Sequence, residues 1–260
     1  MDGWSIAELI MGILGNITST FLFLSPISTC KEIHKKKSIG QFSPLIYLAM
    51  VLNCGLWLAY GLFLNGSNRL FVLTTNGLGL FLSLIYTIFF AYYADKENRK
   101  RILVLLFIVL EIVILACVVT SIVLVFFTSK NLRKHRGSVI LGSLGVMANL
   151  FLYASPLSIA KKVIKTKNVE YWPCSTSLAS FLNGLVWTIY ATCPRNTFIL
   201  IPNILGCMLG LIQLIIYAKF KNNAIDLESD PEMSITDDNA NAHEVEDPKS
   251  PTSLQLTINV

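Results

Sequence analysis

Residues 12–26 read GILGNITSTFLFLSP, and residues 142–156 read GSLGVMANLFLYASP. The register holds well beyond this stretch. At a shift of 130, residues 12–61 lie over 142–191 with seventeen identities in fifty. The matches include Gly12/Gly142, Gly15/Gly145, Phe21/Phe151, Leu22/Leu152, Pro26/Pro156, Lys31/Lys161, Asn53/Asn183, Trp57/Trp187 and Tyr60/Tyr190. A shift of 127 then sets Asn76 on Asn203, Gly79 on Gly206 and Ala91 on Ala218. Pro, Gly, Asn and Trp are residue types that bend helices or touch ligands, so their recurrence is more than shared hydrophobicity. An internal repeat of membrane helices is the build of many transporters, with the site between the halves.

The composition points to a bilayer. Hydrophobic residues make up 53% of the 260 and charged residues 14%, with a mean hydropathy of +0.60. A spanning helix needs about 20 apolar residues. Charge-free runs of that size lie at 9–30, 38–68, 70–94, 137–160, 171–194 and 196–218, and a further run, 102–129, is interrupted only by Glu111. Seven spans with short loops leave no room for a soluble catalytic domain. The first run is expected to stay in the protein: it is long, has no basic segment before it, and recurs as the fifth span.

Seven spans factor as three, one, three. The first repeat is expected over 1–94, a linker helix with its loops over 95–137, and the second repeat over 138–221. The odd helix between them makes the repeats parallel, related by an axis along the membrane normal. The segment 222–260 carries nine acidic residues from Asp226 to Asp247 and little apolar content, so a disordered cytosolic tail is expected; Ser250-Pro251 offers a phosphorylation site there. An N-terminus outside and a C-terminus in the cytosol place fifteen Lys/Arg inside and six outside, as the positive-inside rule requires. The outer basic cluster Lys130, Arg133, Lys134 and Arg136 departs from that rule.

Chemistry-bearing motifs are missing. The six cysteines (Cys30, Cys54, Cys117, Cys174, Cys193, Cys207) form no CxxC pair, and the three histidines have no ligand spacing. Without a nucleotide loop, nucleophile elbow or zincin motif, neither an enzyme nor a cofactor or metal is expected, and no nucleic-acid partner.

Several segments together resemble the SWEET sugar transporters, relatives of the PQ-loop proteins. They are Phe23-Leu24-Ser25-Pro26, Tyr60-Gly61 and Asn76-Gly77-Leu78-Gly79, then Ala154-Ser155-Pro156-Leu157, Val163-Ile164-Lys165-Thr166-Lys167 and Pro202-Asn203. The resemblance covers about residues 8–220 and is closest to plant members. It implies two three-helix bundles joined by a linker helix, with sugar moving down its gradient by alternating access. It also implies a plasma-membrane location and a homo-oligomer.

The resemblance assigns sugar contact to Asn76, Asn203, Trp57 and Trp187, and the residues support it. Both Asn lie roughly 9–12 Å into spans that start outside, at about 1.5 Å per residue. The Trp pair reaches a comparable depth from spans that start inside. Carboxamides match sugar hydroxyls, and an indole face packs on a pyranose. Asn53 and Asn183 lie one turn before the two Trp, and Leu22 and Leu152 four residues before Pro26 and Pro156. By the resemblance these four size the pocket, and Leu and Asn there imply a hexose rather than sucrose. Pro26, Pro44, Pro156 and Pro173 are expected hinges of an inner gate, although the family usually has proline where this chain has Ile46. Tyr60 and Tyr190 are the expected outer gate.

The repeats hold no intramembrane acid or base to titrate, which favours uniport over proton coupling. Glu111 looks buried but sits on the linker helix. The alternatives are a sucrose carrier of the same family, a proton-coupled PQ-loop transporter and a seven-helix receptor. A receptor would lack the repeat and usually carry an acidic-arginine switch after the third span, where this chain reads Tyr92-Tyr93-Ala94-Asp95-Lys96.

Overall fold

The computed structural model describes residues 3–64, 66–166, 174–193 and 195–229. Eight α-helices are present among them: α1 (Gly3–Leu24), α2 (Ile27–Lys36), α3 (Leu45–Gly61), α4 (Gly66–Tyr93), α5 (Lys96–Phe127), α6 (Arg133–Thr166), α7 (Cys174–Thr192) and α8 (Thr197–Ser229). α1 and α2 are one span broken at Ser25-Pro26. Proline cannot donate to the helix ladder, and here it becomes the N-cap of α2. α6 runs unbroken past Pro156, so the two matched prolines differ in local structure. α8 continues to Ser229, past Asn222, where the charged tail composition begins.

The helices Ile6–Lys36, Arg69–Tyr93, Lys96–Phe127, Lys130–Tyr153 and Thr197–Lys221 are long and apolar enough to cross a membrane. α3 and α7, with 17 and 19 residues, complete the seven. At about 1.5 Å per residue they reach only roughly 25–29 Å. Both are the second helix of their repeat. Pro44 caps α3 and sets its start. Pro173 lies outside the described residues.

Each repeat is a three-helix bundle in which the third helix packs on both others: α4 on α1 and α3, α8 on α6 and α7. The bundles meet through two equivalent crossings, α3 on α6 and α1 on α7. α5 packs on α3, α4 and α6. Its approach to α3 is close: a Cβ on Gly55 would stand 3.1 Å from Val113. The outward faces are apolar, with Phe81, Phe107, Leu115, Phe126, Phe151 and Ile215 all exposed, as a hydrocarbon solvent permits. Glu111 is exposed too, not buried as its apolar surroundings in the sequence suggested.

The basic stretch after α5 has a local role. Arg133 donates from Nε to the Thr128 carbonyl (3.3 Å) and from Nη2 to the Val125 carbonyl (3.2 Å). It thereby caps the carbonyls that end α5. Arg99 does the same for α4, donating to Ala91, Tyr92 and Ala94.

The repeated glycines are explained by packing within each repeat and across the halves. A Cβ on Gly12 would stand 2.4 Å from Phe71, and one on Gly142 2.7 Å from Phe198, the equivalent ring. A Cβ on Gly15 would stand 2.8 Å from Trp187, and one on Gly145 3.0 Å from Trp57. These glycines admit aromatic rings, and the second pair receives the tryptophan of the opposite repeat.

Candidate functional site

The side of the bundle where α1, α4, α6 and α8 begin is the amino face; the opposite side is the carboxyl face. Near the amino face Trp57, Tyr60, Phe71 and Val72 of the first repeat pack with Leu141, Trp187, Tyr190, Ala191 and Ile199 of the second. The rings follow the pseudo-twofold. Trp57–Tyr60 centroids are 5.2 Å apart and Trp187–Tyr190 5.1 Å, both edge to face. Tyr60–Phe198 and Phe71–Tyr190 lie at 6.1 and 6.0 Å. Such edge-on pairs add to their area burial. Tyr60 and Tyr190 are fully buried here, and Tyr60 also donates from its hydroxyl to Asn196 Oδ1 at 2.9 Å.

Core clusters elsewhere among the described residues do not join the two repeats. Ile33, Tyr47, Tyr86 and Phe90 pack within the first, near the carboxyl face. Ala160 and Val163 pack with Ile216, Tyr217 and Phe220 within the second. The halves are thus sealed together at the amino face and packed separately toward the carboxyl face.

Below the aromatic seal lies a cavity of about 300 Å³, at the lower end of the range for small-ligand sites. It brings together all eight residues that the sequence singled out as substrate contacts: Asn76, Asn203, Trp57, Trp187, Asn53, Asn183, Leu22 and Leu152. Among the described residues, none that lines it carries a charge. Asn76 donates from Nδ2 to the Val72 carbonyl (2.9 Å), and Asn203 to the Ile199 carbonyl (2.7 Å). Each amide is oriented by the helix turn above it, with its Oδ1 and a second N–H left over for a ligand. Trp57 and Trp187, both 6% exposed, form the roof.

The sequence reading missed other lining residues: Ser19, Thr75, Asn149, Tyr153, Ser180 and Gln213. Matching the repeats highlights identities, and these positions differ between the halves. Ser19 faces Asn149 in the alignment, Thr75 faces Pro202, and Gln213 faces Tyr86. Ser19 links the two halves: Trp187 Nε1 donates to its Oγ (3.0 Å), and Ser19 donates to Asn183 Oδ1 (2.8 Å). Thr18 Oγ1 also reaches Asn183 Oδ1 at 2.9 Å. Tyr153 donates to the Pro202 carbonyl. The cavity extends furthest along the second repeat, through Gly206 and Gly210 to Gln213, roughly 24 Å below the start of α8 at about 1.5 Å per residue.

Of the expected hinges, Pro26 separates α1 from α2 and Pro44 precedes α3. Both stand toward the carboxyl face, where the halves pack separately. Ile46 is exposed on α3.

Comparison with known proteins agrees with this architecture. The family model described as sugar efflux transporter for intercellular exchange matches twice, at residues 9–98 and 139–224, on either side of α5. The chain is 42% identical over 214 residues to the bidirectional sugar transporter SWEET5 of Arabidopsis thaliana, covering 82% of this chain and 86% of that protein. It is 44% identical over 214 residues to SWEET4 of the same plant, covering 82% of each. It is also 44% identical over 208 residues to SWEET7b of Oryza sativa subsp. japonica, covering 80% of this chain and 76% of that one. A solved structure of a eukaryotic SWEET transporter superposes with a TM-score of 0.73 at 36% identity, over 84% of this chain and 99% of that one.

Proposed function

Since the chain belongs to the SWEET family of sugar transporters, we propose that its central cavity carries one hexose at a time across the bilayer by alternating access. The protein is a bidirectional facilitative sugar transporter and not an enzyme. The observation that carries the hexose reading is the meeting of two oriented carboxamides and two indoles in one small uncharged cavity. A neutral polyol needs hydrogen-bond partners and an apolar face, and no counter-charge. Leu22, Leu152, Asn53 and Asn183 narrow the space to a monosaccharide.

Fifteen basic residues against six support an N-terminus outside and a cytosolic C-terminus, so the amino face is extracellular and the carboxyl face cytosolic. On that orientation the structure is an inward-facing state. Tyr60 and Tyr190 close the outer gate, and Pro26, Pro44, Pro156 and Pro173 flex at the inner one. The domain division we read is a repeat over 1–94, a linker with α5 over 95–137, a repeat over 138–221 and an acidic tail over 222–260. The apolar outer faces rest against lipid or a second copy in a plasma-membrane homo-oligomer. Uptake of labelled glucose, fructose and galactose against labelled sucrose, in cells lacking other sugar carriers, tests the substrate. Hexose uptake with little sucrose uptake is expected; preferential sucrose uptake would overturn the hexose reading.

A further inference from the structure

Hydroxyls in these helices usually bond back to a carbonyl one turn earlier. Thr20 bonds to the Asn16 carbonyl (2.7 Å), Thr87 to that of Ser83 (2.8 Å) and Thr188 to that of Gly184 (2.7 Å). Thr75 is different. It lines the cavity, yet its Oγ1 is buried and has no hydrogen-bond partner.

The neighbouring side chains supply the reason. A helical Thr75 reaches back to the carbonyls of Phe71 and Val72. The Phe71 oxygen, already in the helix ladder, takes the Asn16 amide from α1 at 3.3 Å and the Thr74 hydroxyl at 3.2 Å. The Val72 oxygen, also in the ladder, takes the Asn76 amide at 2.9 Å. Each of the two acceptors thus already carries a side-chain donor beside its ladder N–H. Asn53 Oδ1 is likewise buried and without a partner, and it lines the same cavity. Its repeat mate Asn183 is served by Thr18 and Ser19, but the residues equivalent to those are Ala148 and Asn149. The repeat mate of Thr75 is Pro202, which has no side-chain hydroxyl. Both unmet groups therefore belong to the first repeat, at places where the pseudo-twofold of the cavity fails.

A buried polar atom without a partner costs free energy, and at a binding cavity a ligand can meet that need. We propose that the Thr75 hydroxyl, acting with the Asn53 amide oxygen, hydrogen-bonds bound hexose and holds it in one orientation relative to the two repeats. This rests on the hexose reading above. Asn76 and Asn203 supply equivalent contacts from both halves, and Thr75 supplies the one that is not repeated. A helical threonine populates two χ1 rotamers, so its hydroxyl can turn to the ligand without moving the backbone.

The test is Thr75→Val, which keeps shape and removes the hydroxyl, beside Thr75→Ser, which keeps it. Both are assayed for glucose uptake and with a panel of 2-, 3-, 4- and 6-deoxyglucose, with surface expression and thermal unfolding measured in parallel. Loss of one ligand hydrogen bond should raise the KM for glucose about 2- to 12-fold and leave the serine variant near wild type. One deoxy sugar, lacking the hydroxyl that meets Thr75, should be penalised in wild type and no longer penalised in T75V. Unfolding of T75V should occur at the wild-type temperature or above, because no protein hydrogen bond is lost. An unchanged KM and deoxy profile in T75V would overturn the proposal. So would failure of T75V to fold, since that reveals a structural partner for the hydroxyl. Absence of glucose uptake by the wild type would refute the sugar reading itself, separately from the role of Thr75.

Discussion

Tyr60→Phe is a small perturbation of the amino-face seal, and its size can be worked out. The ring is buried between Trp57 and Phe198, and phenylalanine preserves that packing. What disappears is the bond from the hydroxyl to Asn196 Oδ1 at 2.9 Å. That oxygen still accepts from the Ile199 backbone N–H at 3.2 Å, so no acceptor is stranded and the larger desolvation penalty does not apply. The loss is then about 1 kcal/mol, the net worth of one neutral hydrogen bond. Because the bond joins α3 to the start of α8, it exists only while the two halves are closed at this face. Its loss shifts the closed–open equilibrium roughly fivefold toward the open form. Spin labels on exposed Leu62 and Thr192, at the ends of α3 and α7, in a background free of other cysteines, report the separation by pulsed electron resonance. The ratio of long- to short-distance populations should rise by that factor over the labelled parent. An unchanged distribution in a folded Tyr60→Phe protein would refute the assignment of Tyr60 to a gate.

Asn76→Ala and Asn203→Ala should each abolish glucose flux at normal surface expression; normal flux in both would place the site elsewhere. Replacing Leu22 and Leu152 by Val and Asn53 and Asn183 by Ser should raise the sucrose-to-glucose uptake ratio, because a steric wall in a rigid cavity is removed. An unchanged ratio would show that these four do not size the pocket. Gly15→Ala places a Cβ 2.8 Å from Trp187, and the ring must move off Ser19. Overpacking of this kind costs about 1–3 kcal/mol, which outweighs a helix-propensity gain of up to about 1 kcal/mol, so a lower unfolding temperature and weaker transport are expected.

The parallel three-one-three build was legible because hydrophobic runs and matched identities are one-dimensional signals. The symmetric lining of the cavity was legible for the same reason: Asn76/Asn203 and Trp57/Trp187 announce themselves by recurring. What escaped was relational. Gly15 and Gly145 recur as a pair, but only the fold shows that each admits a tryptophan from the other half. Pro26 and Pro156 match in sequence, yet one separates two helices and the other lies within one, since tertiary packing decides whether a proline breaks a helix. Ser19 and Thr75 were passed over because their partners in the other repeat differ, and that difference is what makes them informative. The basic stretch at 130–136 defied the charge rule, and only the fold shows Arg133 turned back onto the end of α5.

Purified protein in liposomes tests the central claim most directly: neutral sugar passes through this cavity in both directions, driven by its own gradient alone. Labelled glucose uptake is followed with and without an inward proton gradient, into empty vesicles and into vesicles preloaded with unlabelled glucose. The expected result is uptake that stops at equal concentration in empty vesicles, ignores the proton gradient, speeds up with sugar inside, and vanishes in Asn76→Ala. Net accumulation driven by the proton gradient, or no glucose uptake at all, would contradict it.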